Sequence, residues 1–344
     1  MDADCRSLVA SLGRAGLLEL CVADQDNLPD IRSLSLARAT LANCSGLADF
    51  AFAMQGLGSG AISLAGTAAQ KAEWLPRVAS GEAIAAFALT EPGTGSDAAN
   101  IAMRAEETAD GWVLTGEKSY ISNGTIADVL TLFARTGTAE DGARGISAFI
   151  VRGDDPGLSV AERIEVISPH PLARLRFDGV RAELIGHEGE GFKIAMQTLN
   201  LFRVTVGAAA VGFATRALEE AIGFATSRRL GSGVLADNAV TQERLAEMAL
   251  AIDASALLVA RAAWQQDMGN VDNRRAAAMA KLHATEEAQK VIDMAVQIHG
   301  GLGVTRGARV EQLYRDIRAL RIYEGASEVQ RMIIARDMLK RHGA

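Results

Sequence analysis

The sequence predicts a mainly helical α+β protein in which helices and strands are segregated along the chain. All six prolines lie before residue 172, and the remaining half is rich in Ala, Leu, Met, Glu and Arg. Because proline breaks helix interiors, a proline-free half of this composition predicts long helices. In the middle of the chain, short β-branched and aromatic runs between Gly, Asp and Pro predict strands instead.

The N-terminal segment, residues 1–81, is predicted to be helical, as in DIRSLSLARATLANCSGLADFAFAMQ. Within it, QGLGSGA places Gly56, Gly58 and Ala61 in the G-x-G-x-x-A spacing of a dinucleotide-binding loop. That motif requires a strand before it and a helix after it, whereas the preceding segment has a helical pattern. We therefore interpret QGLGSGA as a loop that connects two helices.

The middle segment, residues 82–186, carries the predicted strands, in the runs GWVLTGEKSYIS, ADVLTLFAR, GISAFIV and LARLRFDGVRAELIG. Their separation from the helices disfavours a doubly wound βαβ fold. In FALTEPGTGSDAANI a strand is predicted to end at Thr90, where Pro92, Gly93 and Gly95 force an exposed loop. The backbone of such a loop can approach a ligand, although the segment taken alone is better explained as a plain connection between strands.

The C-terminal segment, residues 187–344, is predicted to form a bundle of four or more helices. In RLAEMALAIDASALLVARAAW, the apolar residues Leu245, Met248, Ile252 and Val259 recur at helical spacings. A further stretch, AVQIHGGLGVTRG, has three glycines just after a predicted helix end. One glycine is a common helix cap, whereas three leave an open backbone surface for a ligand or a neighbouring subunit.

Charge and composition restrict the partners. The formal net charge is −7, so nucleic acid and anionic membranes, which require clustered Lys and Arg, are not the expected partners. Neither a membrane-span pattern nor a secretory signal is recognisable. The three cysteines and five histidines show no metal-site spacing. We expect a cytoplasmic protein without a metal ion.

The segment LRIYEGASEVQRMIIAR contains an acid, Glu324, just before a predicted helix. Ser327 and Gln330 have the S-x-x-Q spacing of a capping box, which predicts a helix start near Glu328. An acid beside a helix N-terminus is favoured electrostatically without any catalytic role. The segment alone therefore leaves both a structural and a catalytic role for Glu324 open.

Several segments taken together resemble the acyl-CoA dehydrogenase family from about residue 8 to the end. They are ALTEPGTGSD, KSYISNG, GEGFKIAMQTLN, AVQIHGGLGVTRG and RDIRALRIYEGASEVQR, in the family's order. The resemblance implies an N-terminal helical domain (1–81, shortened by about one helix), a middle antiparallel β-barrel domain (82–186) and a C-terminal four-helix bundle (187–344). This agrees with the α-β-α order predicted from the residues.

The resemblance also implies bound FAD and oxidation of an acyl-CoA thioester to the 2,3-enoyl-CoA. Glu324 matches the catalytic base, and its backbone N–H would hold the thioester carbonyl together with a flavin hydroxyl. In some members the base lies one residue before a matched arginine, but here that residue is Phe202, which cannot accept a proton. The electrons would pass to an electron-transfer flavoprotein. A site shared between subunits implies a homo-oligomer, either a dimer or a tetramer.

The remaining site residues are implied by matching this sequence to the family's segments. The implied FAD-binding residues are Phe87, Leu89, Thr90, Ser96, Tyr120, Ile121, Ser122, Arg228, Gln297, Gly300, Gly301, Ser327 and Glu328. The implied residues for the acyl-CoA are Ser96, Asn200, Arg203 and Gly325. Several positions depart from the family pattern: Tyr120 replaces a more usual Trp, Asn200 an Asp and Ala326 a common Thr, and the loop around Arg228 has an altered spacing.

Two alternatives remain open at this point. The same fold and FAD could serve a different reaction, as in relatives that act as oxidases, as desulfinases or in the reductive direction. The chain could also be a non-catalytic subunit of a heteromeric acyl-CoA dehydrogenase that lends half a flavin site to a partner. The short N-terminus and the altered arginine loop motivate the second alternative.

Overall fold

The structure is a computed structural model that describes residues 1–22, 28–109, 111–269 and 273–342. The chain forms two compact units. Unit 1 consists of Met1–Asp30 and Phe50–Phe202, and unit 2 consists of Ile31–Asp49 and Arg203–Ala344. Unit 1 contains the β-sheet and unit 2 contains most of the long C-terminal helices.

The N-terminal part is helical, as predicted, with α1 (Asp2–Arg14), α2 (Ile31–Cys44), α3 (Gly46–Ala65) and α4 (Ala68–Ala79). Helix α3 continues through QGLGSGA, so our prediction of a loop there is wrong. These glycines serve close packing rather than a turn. A Cβ on Gly58 would lie 2.7 Å from atoms of Ala85, and one on Gly60 would lie 2.7 Å from Thr198. Other elements of unit 1 can approach the helix backbone because these side chains are missing.

The middle segment forms the predicted strands and two further ones. The strands are β1 (Ala85–Ala88), β2 (Arg104–Thr108), β3 (Gly111–Ser122), β4 (Val129–Arg135), β5 (Ile146–Arg152), β6 (Leu158–Arg163) and β7 (Leu172–Ile185). Strands β2 and β6 were not predicted. Most of their residues are exposed, so their sequences lack the apolar signal of a buried strand.

The sheet closes on itself. The pairs β2–β3, β3–β7, β7–β5 and β5–β4 are antiparallel, and a parallel contact between Arg104 and Arg135 joins β2 to β4. Strand β1 also lies parallel to β4, with Ala85 opposite Val129. The barrel is thus mainly but not wholly antiparallel. Its core includes Phe149 and Phe177, which are at most 1% exposed.

The C-terminal part contains α5 (Gly191–Ser227), α6 (Ala239–Asp267), α7 (Arg274–His299), α8 (Arg309–Arg318) and α9 (Ser327–Arg341). A short hairpin of β8 (Arg229–Leu230) and β9 (Gly233–Val234) joins α5 to α6. Helix α7 packs against α6, α8 and α9, so it is the central helix of this part of unit 2. Many of its buried residues are alanines, which allow neighbouring helices to approach closely.

Helix α5 alone, among the described residues, is long and apolar enough to cross a membrane. Its most apolar stretch is 78% buried inside the protein. Burial of this kind is typical of the core helix of a large globular protein. The burial of this stretch therefore gives no support for a membrane span.

Candidate active site

The loop between α8 and α9 presents Glu324 in an unusual backbone conformation. After α8 the chain makes a 3-10 turn over Ala319–Arg321 and then reaches Glu324 with φ 52° and Gly325 with φ 92°. Left-handed backbone suits glycine but costs a residue with a side chain about 1–3 kcal/mol. Contacts with the surrounding residues are needed to hold Glu324 in this conformation.

The last helix is capped differently from the sequence prediction. Helix α9 begins at Ser327, its N-cap residue is Ala326, and no side chain caps it. The predicted capping box of Ser327 and Gln330 is therefore wrong. The reason is that both side chains are engaged elsewhere: Ser327 donates a hydrogen bond to Glu286, and Gln330 donates back to the loop that precedes the helix.

Two buried donors hold the carbonyl groups of this loop. The carbonyl oxygen of Gly325 accepts hydrogen bonds from Lys281 Nζ and from Gln330 Nε2, each at 2.8 Å. Gln330 Nε2 also lies 3.3 Å from the carbonyl oxygen of Glu324. Both donor side chains are fully buried, at 0% exposure. The left-handed turn is thus stabilised through its main chain.

A third connection ties the loop to helix α7. Glu286 on α7 accepts a hydrogen bond from Ser327 Oγ at 2.5 Å. The other oxygen of Glu286 lies 2.7 Å from Arg321 Nη2 in an ion pair. Because Arg321 precedes Glu324 and Ser327 follows it, a single carboxylate of α7 holds both ends of the loop.

The carboxylate of Glu324 lies in a shielded and strongly charged environment. Its oxygen Oε2 is inaccessible to solvent and accepts no hydrogen bond from the described residues. Burial raises the pKa of Glu324, and the positive charges of Arg38, Lys281 and Arg203 only partly oppose this, while Asp49 adds to it. A carboxylate with a raised pKa is a stronger base than an exposed one.

The three cations near Glu324 have different partners. Arg38 on α2 forms an ion pair with Asp49, with both oxygens of the carboxylate 2.8 Å from the guanidinium, and donates to Thr205 Oγ1 at 3.0 Å. Burial lowers the pKa of Lys281 to about 8, although Glu324 opposes the shift. Burial also lowers the pKa of Arg203. Lys281 Nζ donates directly to the carbonyl oxygen of Gly325, the residue after Glu324.

In unit 1, the predicted Thr90 loop is anchored by a buried ion pair. Lys118 Nζ lies 2.8 Å from Glu91 Oε1 and donates to the carbonyl oxygen of Leu89 at 2.9 Å. Burial lowers the pKa of Lys118 to about 8, while Glu91 opposes the shift. The amide of Ser119 donates to the carbonyl oxygen of Thr90 at 2.8 Å. Strand β3 therefore fixes the main chain of the loop through hydrogen bonds to the carbonyl oxygens of Leu89 and Thr90.

Tyr120 stands next to this anchor on an irregular part of β3. The register between β3 and β7 shifts between Lys118 and Ile121, and Tyr120 has φ 55°. Such bulges re-aim side chains, and the Tyr120 side chain is indeed exposed, at 63%. An aromatic ring is thus presented to solvent beside the Thr90 loop.

The other predicted site residues are distributed over both units. In unit 1, Phe87 contacts Phe133 with 5.0 Å between ring centroids, Leu89 and Ile121 are buried, and Ser96 is exposed. In unit 2, Arg203 and Gly325 lie with Glu324, whereas other predicted residues are exposed: Arg228, Gln297, Gly300, Gly301 and Glu328. The structure thus gathers Leu89, Thr90 and Tyr120 in one unit and Arg203, Glu324 and Gly325 in the other. Ser122 and Asn200, both in unit 1, are half-buried.

Family models match almost the whole chain. Residues 2–82 match the acyl-CoA dehydrogenase N-terminal domain, residues 86–180 the middle domain and residues 189–339 the C-terminal domain. The chain therefore belongs to the acyl-CoA dehydrogenase family. Members of this family are FAD-dependent oxidoreductases.

Individual relatives support the same assignment. The rat mitochondrial short-chain specific acyl-CoA dehydrogenase is 36% identical over 342 residues, which covers 97% of this chain and 82% of the relative. The 3-(aryl)acrylate reductase of Clostridium sporogenes is 38% identical over 283 residues, covering 80% and 74%. A chain in a solved structure of the electron transferring flavoprotein of Acidaminococcus fermentans superposes with TM-score 0.92 at 34% identity, covering 97% and 90%.

The residues present in each unit fit FAD. In unit 1, the exposed ring of Tyr120 offers a stacking surface, and Thr94 Oγ1 is buried without a hydrogen-bond partner. A Cβ added to Gly93 or Gly95 would meet no atom within 4 Å, so the loop backbone is accessible. In unit 2, the same holds for Gly300 and Gly301 at the end of α7. Aromatic surface and accessible main-chain donors suit a flat, polar cofactor.

Sequence reasoning missed the buried charges around the site. Arg38 and Lys281 were not predicted, yet both lie in the apolar stripes of their helices. Arg38 is in register with buried Ile31, Leu34 and Ala42, and Lys281 lies on the buried stripe of α7. A charged residue at a helical position reserved for buried side chains is a signal that could have identified them.

Proposed function

We propose that this protein catalyses the FAD-dependent α,β-dehydrogenation of an acyl-CoA thioester to the 2,3-enoyl-CoA, with Glu324 as the base. The observation that carries the proposal is the state of the Glu324 carboxylate. One of its oxygens is buried without a hydrogen-bond partner, on a loop held in a left-handed conformation by buried donors. A structural acid at a helix N-terminus needs neither feature.

The chemistry requires a base of this kind. The α-proton of a thioester is weakly acidic, so its removal needs a positioned carboxylate and hydrogen bonds to the developing enolate oxygen. Glu324 accepts the proton in this proposal, and its backbone N–H donates to the thioester carbonyl. FAD, when bound, supplies the acceptor for the β-hydride at N5. Arg203, Asn200 and Ser96 are the proposed contacts of the CoA portion.

The test is anaerobic reduction of the FAD-loaded protein by a panel of acyl-CoA thioesters. The loss of the oxidised-flavin absorbance measures this reduction. We expect bleaching with at least one thioester and no bleaching by Glu324→Gln, which should still bind FAD. Glu247→Gln is the control, because Glu247 is exposed on α6. Continued bleaching by Glu324→Gln would place the base elsewhere.

The partners are part of the proposal. We propose an electron-transfer flavoprotein as the electron acceptor, supported by the similarity to a chain from the Acidaminococcus fermentans structure.

We also propose a homo-oligomer, because the exposed Gln297, Gly300 and Gly301 match a family segment that receives FAD from a neighbouring subunit. A cytoplasmic location is also part of the proposal, and the burial of the apolar stretch of helix α5 gives no support for a membrane span. Sedimentation analysis of the FAD-loaded protein tests the assembly.

A second candidate is catalysis in the reductive direction. The relative from Clostridium sporogenes is a 3-(aryl)acrylate reductase, and one from Anaerotignum propionicum, 39% identical over 288 residues, is an acryloyl-CoA reductase (NADH). Flavin reduced chemically would then be reoxidised by an enoyl thioester faster than by an artificial electron acceptor. Rapid peroxide formation without an acceptor would instead indicate an oxidase.

The proposal of an active subunit is distinct from that of a non-catalytic subunit in a heteromer. Isolation of the chain alone with roughly one FAD per subunit and measurable turnover would exclude the heteromer. Failure to retain FAD in the absence of a second chain would support it.

A further inference from the structure

The site contains a buried lysine for which the reaction itself gives no role. Lys281 lies in the middle of α7 with 0% exposure, and its Nζ donates to the carbonyl oxygen of Gly325 at 2.8 Å. An ammonium group is costly to bury unless its charge and its donors are used. In this site Lys281 can stabilise both the loop conformation and a negative charge.

The hydrogen bond of Lys281 acts on the residue that follows the base. Gly325 and Glu324 have φ values of 92° and 52°, so the peptide between them is held in a conformation that a free loop rarely adopts. Gln330 donates to the same carbonyl oxygen at 2.8 Å. Lys281 and Gln330 therefore make similar hydrogen bonds to this oxygen, but only Lys281 carries a positive charge.

Charged groups from several elements face this part of the site. Around Glu324 they are Arg38 on α2, Asp49 on α3, Arg203 on α5 and Lys281 on α7. Around Lys281 they are Glu324, Arg203, Glu286 and Glu328. Asp49 accepts two hydrogen bonds from Arg38, and its negative charge partly opposes the effect of Arg38 on Glu324. Lys281 adds to the positive charge that Arg38 and Arg203 supply to the carboxylate of Glu324.

We propose that Lys281 is a positioning residue for the base, which holds the Gly325 carbonyl in place and favours the ionised form of Glu324 through its positive charge. The inference rests on the proposed role of Glu324. Lys281 does not touch the reacting atoms and acts only through the loop and its charge. Gln330 also holds the Gly325 carbonyl in place, but it carries no charge that could favour the ionised form of Glu324.

The pH dependence of anaerobic flavin reduction separates the two effects. Lys281→Met should shift the acid limb of the rate profile upward by about one pH unit, because an opposite charge nearby favours a carboxylate. Its maximal rate should fall about tenfold or more, since a misplaced catalytic group is costly. Gln330→Met should lower the rate without shifting the limb. Lys290→Met, at an exposed position of the same helix, should match the wild type.

Lys281→Arg tests the charge if Lys281→Met does not fold. It keeps the charge but has a different shape, so the acid limb should stay near that of the wild type while the rate falls. An unchanged acid limb in Lys281→Met, or equal shifts in Lys281→Met and Lys281→Arg, would overturn the proposal.

A measurement that needs no turnover keeps this inference separate from the proposed function. In a double-mutant cycle of Lys281→Met and Glu324→Gln, denaturant midpoints near pH 7 should be non-additive. The coupling should disappear at a pH low enough to protonate Glu324. Additive midpoints at both pH values would overturn the inference. Absence of bleaching by every thioester in the wild type, together with observed coupling, would contradict the proposed reaction but not the contact.

Discussion

Arg38 binds both carboxylate oxygens of Asp49 within the interior of unit 2, with Nε and Nη2 each 2.8 Å from an oxygen. The two side chains are only 3% and 4% exposed. Removal of one partner from a buried pair leaves an uncompensated charge, which costs about 3–5 kcal/mol. The two side chains also act in opposite directions on the pKa of Glu324, which Arg38 lowers and Asp49 raises.

We expect Asp49→Asn to lower the free energy of unfolding by about 3 kcal/mol, because Arg38 then remains buried without its counter-charge. Denaturant unfolding measures the change. The control is Glu287→Gln, since Glu287 pairs with the exposed Lys290 and such surface pairs contribute less than about 1 kcal/mol. Replacement of both Arg38 and Asp49 by Met should cost less than Asp49→Asn alone. Equal losses for Asp49→Asn and Glu287→Gln would contradict the prediction.

Gly325→Ala should destabilise the protein by about 1–3 kcal/mol, because alanine disfavours φ 92° and its Cβ would lie 2.5 Å from Gln330 Nε2. The same change should abolish flavin reduction, since the Glu324 loop must shift. Gly223→Ala is the matched control within helix α5, where an added Cβ meets no atom within 4 Å. That change should stabilise the protein by about 0.5–1 kcal/mol. Thermal unfolding compares the two variants.

The stability difference between Glu324→Gln and the wild type should depend on pH. Burial raises the pKa of Glu324 above its ordinary 4.5, so the folded protein binds more protons than the unfolded chain between these two pKa values. Wild-type stability therefore falls, relative to the variant, as the pH rises through that window. Below about pH 4 the difference should level off, because the carboxyl is protonated in both states. A pH-independent difference in denaturant midpoints would refute the raised pKa.

Tyr120→Ala should weaken FAD binding about two- to tenfold, since a stacked aromatic ring contributes roughly 0.5–1.5 kcal/mol. Its stability should change by less than about 0.5 kcal/mol, because the ring is 63% exposed and leaves no cavity. Quenching of flavin fluorescence during titration measures the affinity. Tyr314→Ala, at a 43% exposed ring on α8, is the control and should bind FAD normally. Similar FAD affinities for both variants would exclude stacking on Tyr120.

Much of the architecture was predictable because the signals are local. The absence of proline after residue 172 correctly indicated long helices, and apolar β-branched runs located β3, β4, β5 and β7. Strands β2 and β6 were missed because most of their residues are exposed. The loop predicted for QGLGSGA is wrong, because its glycines allow close packing of α3 and do not form a turn.

The candidate base was predictable from sequence similarity, but its supporting contacts were not. Ser327 and Gln330 have the spacing of a capping box, yet Glu286 and the carbonyl groups of the loop compete successfully for their side chains. Lys281 is 43 residues from Glu324 in sequence, so only the packing of α7 against α9 shows the connection. Long-range partners of this kind leave only a weak trace in the sequence, namely a charge on a buried stripe.

The loop that carries Glu324 is held through carbonyl groups by Lys281 and Gln330 and at its two ends by Glu286. None of these contacts requires a carboxyl group at position 324. The shape of the loop is therefore separable from the chemistry of the side chain that it presents. An engineer could exchange that side chain for another proton acceptor or a nucleophile and expect it to project from the same point of the protein.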